Sequence, residues 1–185
     1  MRIIAGEFRG RALASVGKGD AGAHLRPTTD RVRESLFNVL IHQIDFDGLR
    51  VLDLFAGTGA LGLEALSRGA THVTFVDDGR VAQGLIRKNI DLTRSADRTD
   101  LVCRDATRLG DNPSAPYDLV FLDPPYGKSM GEKAVAGLAN GWVADEALLV
   151  WEENTPIQAP IGFTLQDNRK YGDTFISLMW NSVSD

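Results

Sequence analysis

From residue 50 onward the chain alternates short apolar runs with stretches of helical spacing. Val51-Leu52-Asp53-Leu54, residues 73–76, Leu101-Val102-Cys103, Leu119-Val120-Phe121-Leu122 and residues 147–151 are apolar runs bounded by polar residues or glycine. Runs this continuous belong to strands buried on both faces rather than half-exposed ones. Between them, helices are predicted over 60–68, 80–92 and 130–140, the first closed by Gly69 just beyond its last turn. Two more β segments, 163–165 and 174–179, end the pattern. Strands alternating with helices predict an α/β fold whose largely parallel sheet is covered on both faces.

The first 50 residues read differently. The opening is rich in glycine and polar residues, with short β pieces at Ile3-Ile4 and Arg11-Ala12-Leu13. A hairpin turning near Gly6 to Gly10 is expected there, then a loop over 15–24. After Pro27-Thr28, either Thr29 or Asp30 is placed to cap a helix over 30–43, in which Val32, Leu36, Val39 and Leu40 share one face. The expected organisation is one domain over 1–185, with an arm over 1–29 and a core over 30–185.

Length and composition narrow the class. A chain of 185 residues supports one buried core, and a monomer is the default for one compact domain. No stretch approaches the roughly 18 uncharged apolar residues of a membrane-spanning helix, and the amino terminus lacks a signal-like apolar region. The lone Cys103 cannot form an internal disulfide and fits a reducing cytoplasm. His24, His42 and His72 are scattered without metal-ligand spacing, so no metal is expected. The net charge of −5 is unevenly spread: residues 1–33 hold seven basic and three acidic side chains, a net +4, which leaves −9 for the rest. A basic arm on an acidic body is suited to a phosphate backbone, although a solvated charged face has the same composition.

The chemistry lies at the carboxyl ends of the strands. Asp123-Pro124-Pro125-Tyr126 follows the apolar run 119–122, a pattern suited to methylating an exocyclic or amide nitrogen. Such a nitrogen is a poor nucleophile because its lone pair is delocalised. The Asp123 carboxylate and the Pro124 carbonyl can accept its two N–H bonds, in a loop held by two fixed φ angles. Tyr126 offers a face on which an extruded base can stack. The alternative is a strand end closed by an ordinary Pro-Pro turn.

A cofactor loop precedes this motif. Asp53-Leu54-Phe55-Ala56-Gly57-Thr58-Gly59 joins the first strand to a helix, and its glycines admit close backbone approach. Asp53 can receive a cationic amino group or order the loop, Asp77 or Asp78 can accept from ribose hydroxyls, and Asp105-Ala106 is placed to meet an adenine amino group. Gly57-x-Gly59-x-x-Gly62 with Asp77 twenty residues after Gly57 also fits the dinucleotide fingerprint. Against that reading, a dinucleotide site has no standard duty for Asp53, Asp105 or Asp123. S-adenosylmethionine (SAM) carries no phosphate and needs acceptors, which these acids supply.

Taken together, Met1 to Glu7 with Arg9-Gly10-Arg11, the block Leu25 to Glu34 with Leu36-Phe37-Asn38, Leu52 to Ala65, the Asp-Pro-Pro-Tyr motif and Lys170 to Thr174 resemble the RsmD-type bacterial methyltransferases. The middle blocks indicate a nitrogen methyltransferase, and the two amino-terminal blocks carry the narrower likeness. The resemblance implies the seven-stranded SAM-dependent methyltransferase sheet with an antiparallel last strand, and transfer to guanine N2 in 16S ribosomal RNA within an assembled small-subunit particle. It also makes Arg9, Arg11, Arg26, Arg31 and Arg33 expected RNA contacts, with the exposed face of the first helix as the plainer role for Arg31 and Arg33. Many relatives have Glu where Asp77 stands and Phe where Tyr126 stands. Other readings remain open: an adenine-N6 DNA or protein-amide methyltransferase, a nicotinamide-dependent oxidoreductase, and a noncatalytic RNA-binding factor.

Overall fold

The computed structural model describes residues 1–16 and 29–182, so the expected loop over 15–24 falls almost wholly outside the described residues, as do Arg26 and Thr28. The chain order is α1 (Asp30–Leu40), β1 (Arg50–Leu54), α2 (Ala60–Ser67), β2 (His72–Val76), α3 (Arg80–Thr93), β3 (Thr99–Val102), β4 (Tyr117–Leu122), α4 (Met130–Leu138), β5 (Val143–Glu153), β6 (Phe163–Tyr171) and β7 (Thr174–Asn181). The strands form one seven-stranded sheet in the order β3-β2-β1-β4-β5-β7-β6. Strands β1 to β5 pair in parallel, and β7 runs antiparallel to both β5 and β6.

Side chains alternate across this sheet with period two. Val51, Val73, Phe75, Leu119, Phe121, Leu148, Val150, Ile176 and Leu178 pack on one face, together with α1, α2, α3 and the amino-terminal arm. Leu52, Leu54, Val76, Val120, Leu122, Leu149, Trp151 and Met179 pack on the other with α4. The strands follow the apolar runs, and the main differences are in length: β5 reaches Val143 and Glu153, and β6 continues to Tyr171.

Helix α1 is shorter than expected and its buried face is rotated. Thr29 caps it, its hydroxyl accepting from the Val32 N–H at 3.3 Å. The buried residues are Arg33, Leu36, Phe37 and Leu40, an i, i+3, i+4, i+7 stripe that includes an arginine.

The arm is part of the core. Ile3, Phe8 and Leu13 are buried, and the expected hairpin closes through Arg2 and Ala12, with the Ile3 N–H donating to the Arg11 carbonyl at 3.0 Å. The arm docks on the end of α2. Glu7 N–H donates to the Ser67 carbonyl at 2.7 Å, Phe8 N–H donates to the Ser67 hydroxyl at 2.9 Å, and that hydroxyl donates to the Ala5 carbonyl at 2.6 Å. Fully buried Glu64 accepts from the Ile4 and Ala5 N–H groups at 2.8 and 3.1 Å and from Arg68 Nε at 2.9 Å.

Gly6 is fixed by this docking. Its φ is +81°, and a Cβ there would lie 1.8 Å from the Ser67 carbonyl oxygen. Gly10 has a similar φ of +79° but open space around it. Gly10→Ala is expected to cost about 1 kcal/mol, the left-handed backbone cost alone. Gly6→Ala adds the backbone clash and is expected to cost on the order of 3 kcal/mol. Urea denaturation of both variants checks this, and equal losses would remove the docking constraint.

Candidate active site

Strand alternation gathers the acids. Asp53 follows Val51, Asp77 follows Val73 and Phe75, and Asp123 follows Leu119 and Phe121 in the same phase, so all three carboxylates fall on the α1/α2/α3 side of the sheet. They converge at the carboxyl ends of β1, β2 and β4. Between β1 and β4 the strand order reverses, the place where open α/β sheets bind ligands.

The loop between β1 and α2 is held tightly. Phe55 has φ +55°, a sparsely populated conformation for a bulky residue and a form of local strain typical of functional sites. Ala56 N–H donates to the Val76 carbonyl at 3.2 Å, and Gly59 N–H to the Ala56 carbonyl at 2.7 Å. Gly57 and Gly59 have φ of +59° and +74°. Thr58 is buried, and its carbonyl accepts from Nδ2 of buried Asn89 at 2.8 Å. The same Asn89 side chain donates to the Ala14 carbonyl at 3.0 Å and accepts from the Ala14 N–H at 2.7 Å, joining arm and loop.

Each acid has a distinct setting. Asp53 is buried and accepts from the Gly62 N–H at 3.0 Å, so it orders the start of α2. Burial pushes its carboxyl up to about 8, opposed by the Gly62 N–H and reinforced by the Asp77 charge. Asp77 accepts with one oxygen from Gly57 N–H at 2.9 Å and with the other from Gly79 N–H at 2.8 Å. Its pKa is raised, first by burial. Asp78 is exposed. Asp105 accepts from both the N–H and hydroxyl of Thr107, at 2.8 and 2.7 Å, and these bonds lower its pKa. Ala106 beside it is buried.

Asp123, Pro124, Pro125 and Tyr126 leave β4 alongside the end of β5. Asp123 N–H donates to the Leu54 carbonyl at 3.4 Å, which ties the motif to β1. Burial holds the Asp123 carboxyl well above the usual carboxylate range, and the charges of Glu152, Asp53 and Glu153 add to that. Pro124 is buried and Pro125 exposed. The Tyr126 hydroxyl donates to Glu152 Oε1 at 3.0 Å and lies 3.1 Å from the Thr174 hydroxyl. Burial is the main cause that pushes it up to about 12.

Glu152 is not among the residues expected at the site, although the alternation along β5 carries its signal. Leu148, Val150 and Glu152 continue the alternation by which Asp123 is read from Leu119 and Phe121. Thr174 belongs to the late motif block, and the β6–β7 turn brings it to Tyr126.

The arginines separate into groups. Arg9 and Arg31 are exposed; the Arg9 backbone N–H donates to the Gly6 carbonyl at 3.2 Å, and its guanidinium has no hydrogen-bond or ion-pair partner among the described residues. Exposed Arg11 donates to the Leu92 carbonyl near the end of α3. Arg26 lies outside the described residues. Arg33 corrects the expectation: it is fully buried, donates to the Arg2 carbonyl and to Asp30 at 3.0 Å, and lies 3.8 Å from Glu64. It occupies neither an RNA-facing position nor the exposed face of the helix, because it stands in the buried stripe of α1.

The raised pKa of Asp53 has a definite sign. The folded protein keeps a proton that the unfolded chain releases near pH 4, so stability falls as pH rises from about 4 to about 8, by at most about 1.4 kcal/mol per pH unit. Asp53→Asn removes this ionisation. Denaturation of both proteins between pH 5 and 9 is expected to show a shallower decline for the variant, and parallel curves would place the proton elsewhere.

Comparison with known proteins agrees with this architecture. The family described as "Conserved hypothetical protein 95" matches residues 1–180. "Ribosomal RNA small subunit methyltransferase D" of Escherichia coli is 39% identical over 176 residues, covering 93% of this chain and 85% of that protein. Its namesake from Haemophilus influenzae is 36% identical, covering 93% of this chain and 89% of its own. Among solved structures, "Putative methyltransferase yhhF from Escherichia coli" superposes with a TM-score of 0.85 at 36% identity, covering 100% of this chain and 99% of the other. The match across the arm, the glycine loop and the Asp-Pro-Pro-Tyr motif places this chain in the conserved hypothetical protein 95 family, that of the RsmD-type methyltransferases.

Proposed function

We propose that this protein is a SAM-dependent methyltransferase of small-subunit ribosomal RNA, and that its target is the exocyclic N2 of a guanine. The observation that carries the reading is the Asp123-Pro124-Pro125-Tyr126 loop beside the glycine loop at the carboxyl ends of β4 and β1. The names of the relatives support the RNA class.

The donor set suits SAM. Asp77 already occupies the Gly57 and Gly79 N–H groups that a pyrophosphate would need, and the carboxyl groups of Asp53 and Asp123 offer acceptor oxygens where a phosphate would need donors. A cationic amino acid moiety and uncharged ribose hydroxyls suit these groups, with Asp53, Phe55, Ala56, Gly57, Thr58 and Gly59 in the loop, Asp77 or Asp78 toward the ribose and Asp105 with Ala106 toward the adenine. When bound, SAM supplies a methyl group on a cationic sulfur.

The chain's own residues then act on the base. Tyr126 stacks on the extruded guanine. Asp123 and the Pro124 carbonyl accept the two N2–H bonds and turn the lone pair toward the methyl group. Asp123 would take the N2 proton that the incoming methyl group displaces, so that the alkylated nitrogen ends uncharged. Its desolvated carboxylate is a stronger base than one in water. The base donors favour its ionised form before transfer. The adenine-N6 and protein-amide readings share the motif but not the arm and α1 blocks, which match along with the rest of residues 1–180. The proposed setting is the cytoplasm, with the protein acting as a monomer on an assembled particle.

Incubating the protein with tritiated SAM and small ribosomal subunits is expected to yield labelled N2-methylguanosine. Label in N6-methyladenosine or in protein would favour an alternative. Asp123→Ala is expected to slow single-turnover transfer on the order of 10²-fold while changing SAM affinity much less. Unchanged turnover would remove Asp123 from the mechanism.

Arg9, Arg11 and Arg31 are the exposed cations proposed to meet phosphates, with Arg26 from the preceding segment. Arg9→Ala is expected to weaken RNA binding and flatten the slope of log affinity against log salt by about 0.7 to 0.9, without altering SAM binding. An unaltered slope would leave Arg9 a solvated surface cation.

A further inference from the structure

We infer that Glu152 is a specificity-determining residue, whose carboxylate accepts the N1–H of the flipped guanine while Asp123 accepts from N2. The inference rests on the guanine-N2 reading and adds to it the means by which guanine is selected.

The placement follows from register. Leu122 of β4 pairs with Trp151 of β5 in parallel, so the next residues, Asp123 and Glu152, leave neighbouring strands side by side. Parallel strands lie about 4.8 Å apart. Leu119 and Phe121 share a face with Leu148 and Val150, which puts both carboxylates on that face. The charge of Glu152 is the largest electrostatic contribution to the raised pKa of Asp123, as expected for two carboxylates in one half-buried site.

Glu152 is also held in place. Its Oε1 accepts from Tyr126, whose hydroxyl lies against Thr174. On β7, Thr174 is two residues before Ile176, the partner of Glu152, and so reaches it diagonally across the strand pair. One clasp therefore orients both the ring proposed to stack on the base and the carboxylate at its edge. A carboxylate has about four acceptor positions, so a bond from Tyr126 is compatible with one from a base.

Adjacent acceptors match one base edge in particular. Guanine presents N1–H beside the N2 amino group, a continuous run of donors. Adenine presents N6–H beside a bare N1 lone pair, which a carboxylate would repel. A donor-rich edge also stabilises two neighbouring anions, which relieves the electrostatic conflict between Asp123 and Glu152.

The test replaces the methylated guanine of small-subunit rRNA with 2-aminopurine, which keeps the N2 amine but carries a lone pair at N1. Reconstituted particles of both kinds are presented to the wild type and to Glu152→Gln, and kcat/KM is measured for each. The wild type is expected to prefer guanine by on the order of 10²-fold or more. Glu152→Gln can donate its amide N–H to the bare N1 and is expected to narrow that ratio at least about tenfold, with SAM affinity unchanged. A merely structural role predicts equal losses on both substrates, and an unchanged ratio overturns the inference. Should Glu152→Gln fail to fold, the wild type alone still decides: comparable turnover of guanine and 2-aminopurine overturns it, and rejection of 2-aminopurine supports it. Failure of the underlying reading looks different, since the wild type would then form no N2-methylguanosine on natural particles.

Discussion

In a sheet packed on both sides, every residue of a central strand must face one layer of helices or the other. The apolar positions of β1, β2, β4 and β5 fix that choice, and a polar residue two places beyond the last apolar one inherits it. Asp53, Asp77, Asp123 and Glu152 are such residues. A one-residue slip of any strand would turn its acid to the α4 side and bring its apolar set out of phase. The burial that stabilises the sheet is therefore also what aims the carboxylates, and the desolvation that accompanies it raises the pKa values of Asp53, Asp77 and Asp123.

The second dependency is a buried ionic junction. Glu64 and Arg33 are both fully buried, and pairs of this kind contribute little net stability once their desolvation is counted, although removing one partner is costly. Their value here is positional. Glu64 takes two backbone N–H groups of the arm, and Arg33 takes the Arg2 carbonyl. Arm, α1 and α2 are thereby held in one arrangement, with Arg9 and Arg11 on the outside.

Most of the fold was legible because the central strands are apolar runs with clear breaks, and the Asp-Pro-Pro-Tyr and glycine-loop motifs carry local chemistry. What escaped depended on phase and on distant pairing. Arg33 reads as a cation on a helix until its i+3, i+4 and i+7 neighbours are seen to be Leu36, Phe37 and Leu40. Glu152 lies 26 positions from Tyr126, and only the β4–β5 register brings them together. The loop-ordering role of Asp53 is one of the two that its sequence position offers, whereas Asp77 reads only as a ribose acceptor and in the fold also takes the backbone amides of Gly57 and Gly79.

Asn89 gives the molecule a shared unit of local unfolding. Its single amide side chain holds both Ala14 of the arm and the Thr58 carbonyl of the glycine loop. An opening that frees the arm from α3 leaves a buried amide short of partners beside that loop, so the two segments gain by opening and closing together. Slow hydrogen exchange would then register the amino-terminal arm and the glycine loop as one cooperative block, despite the 43 residues that lie between Ala14 and Thr58.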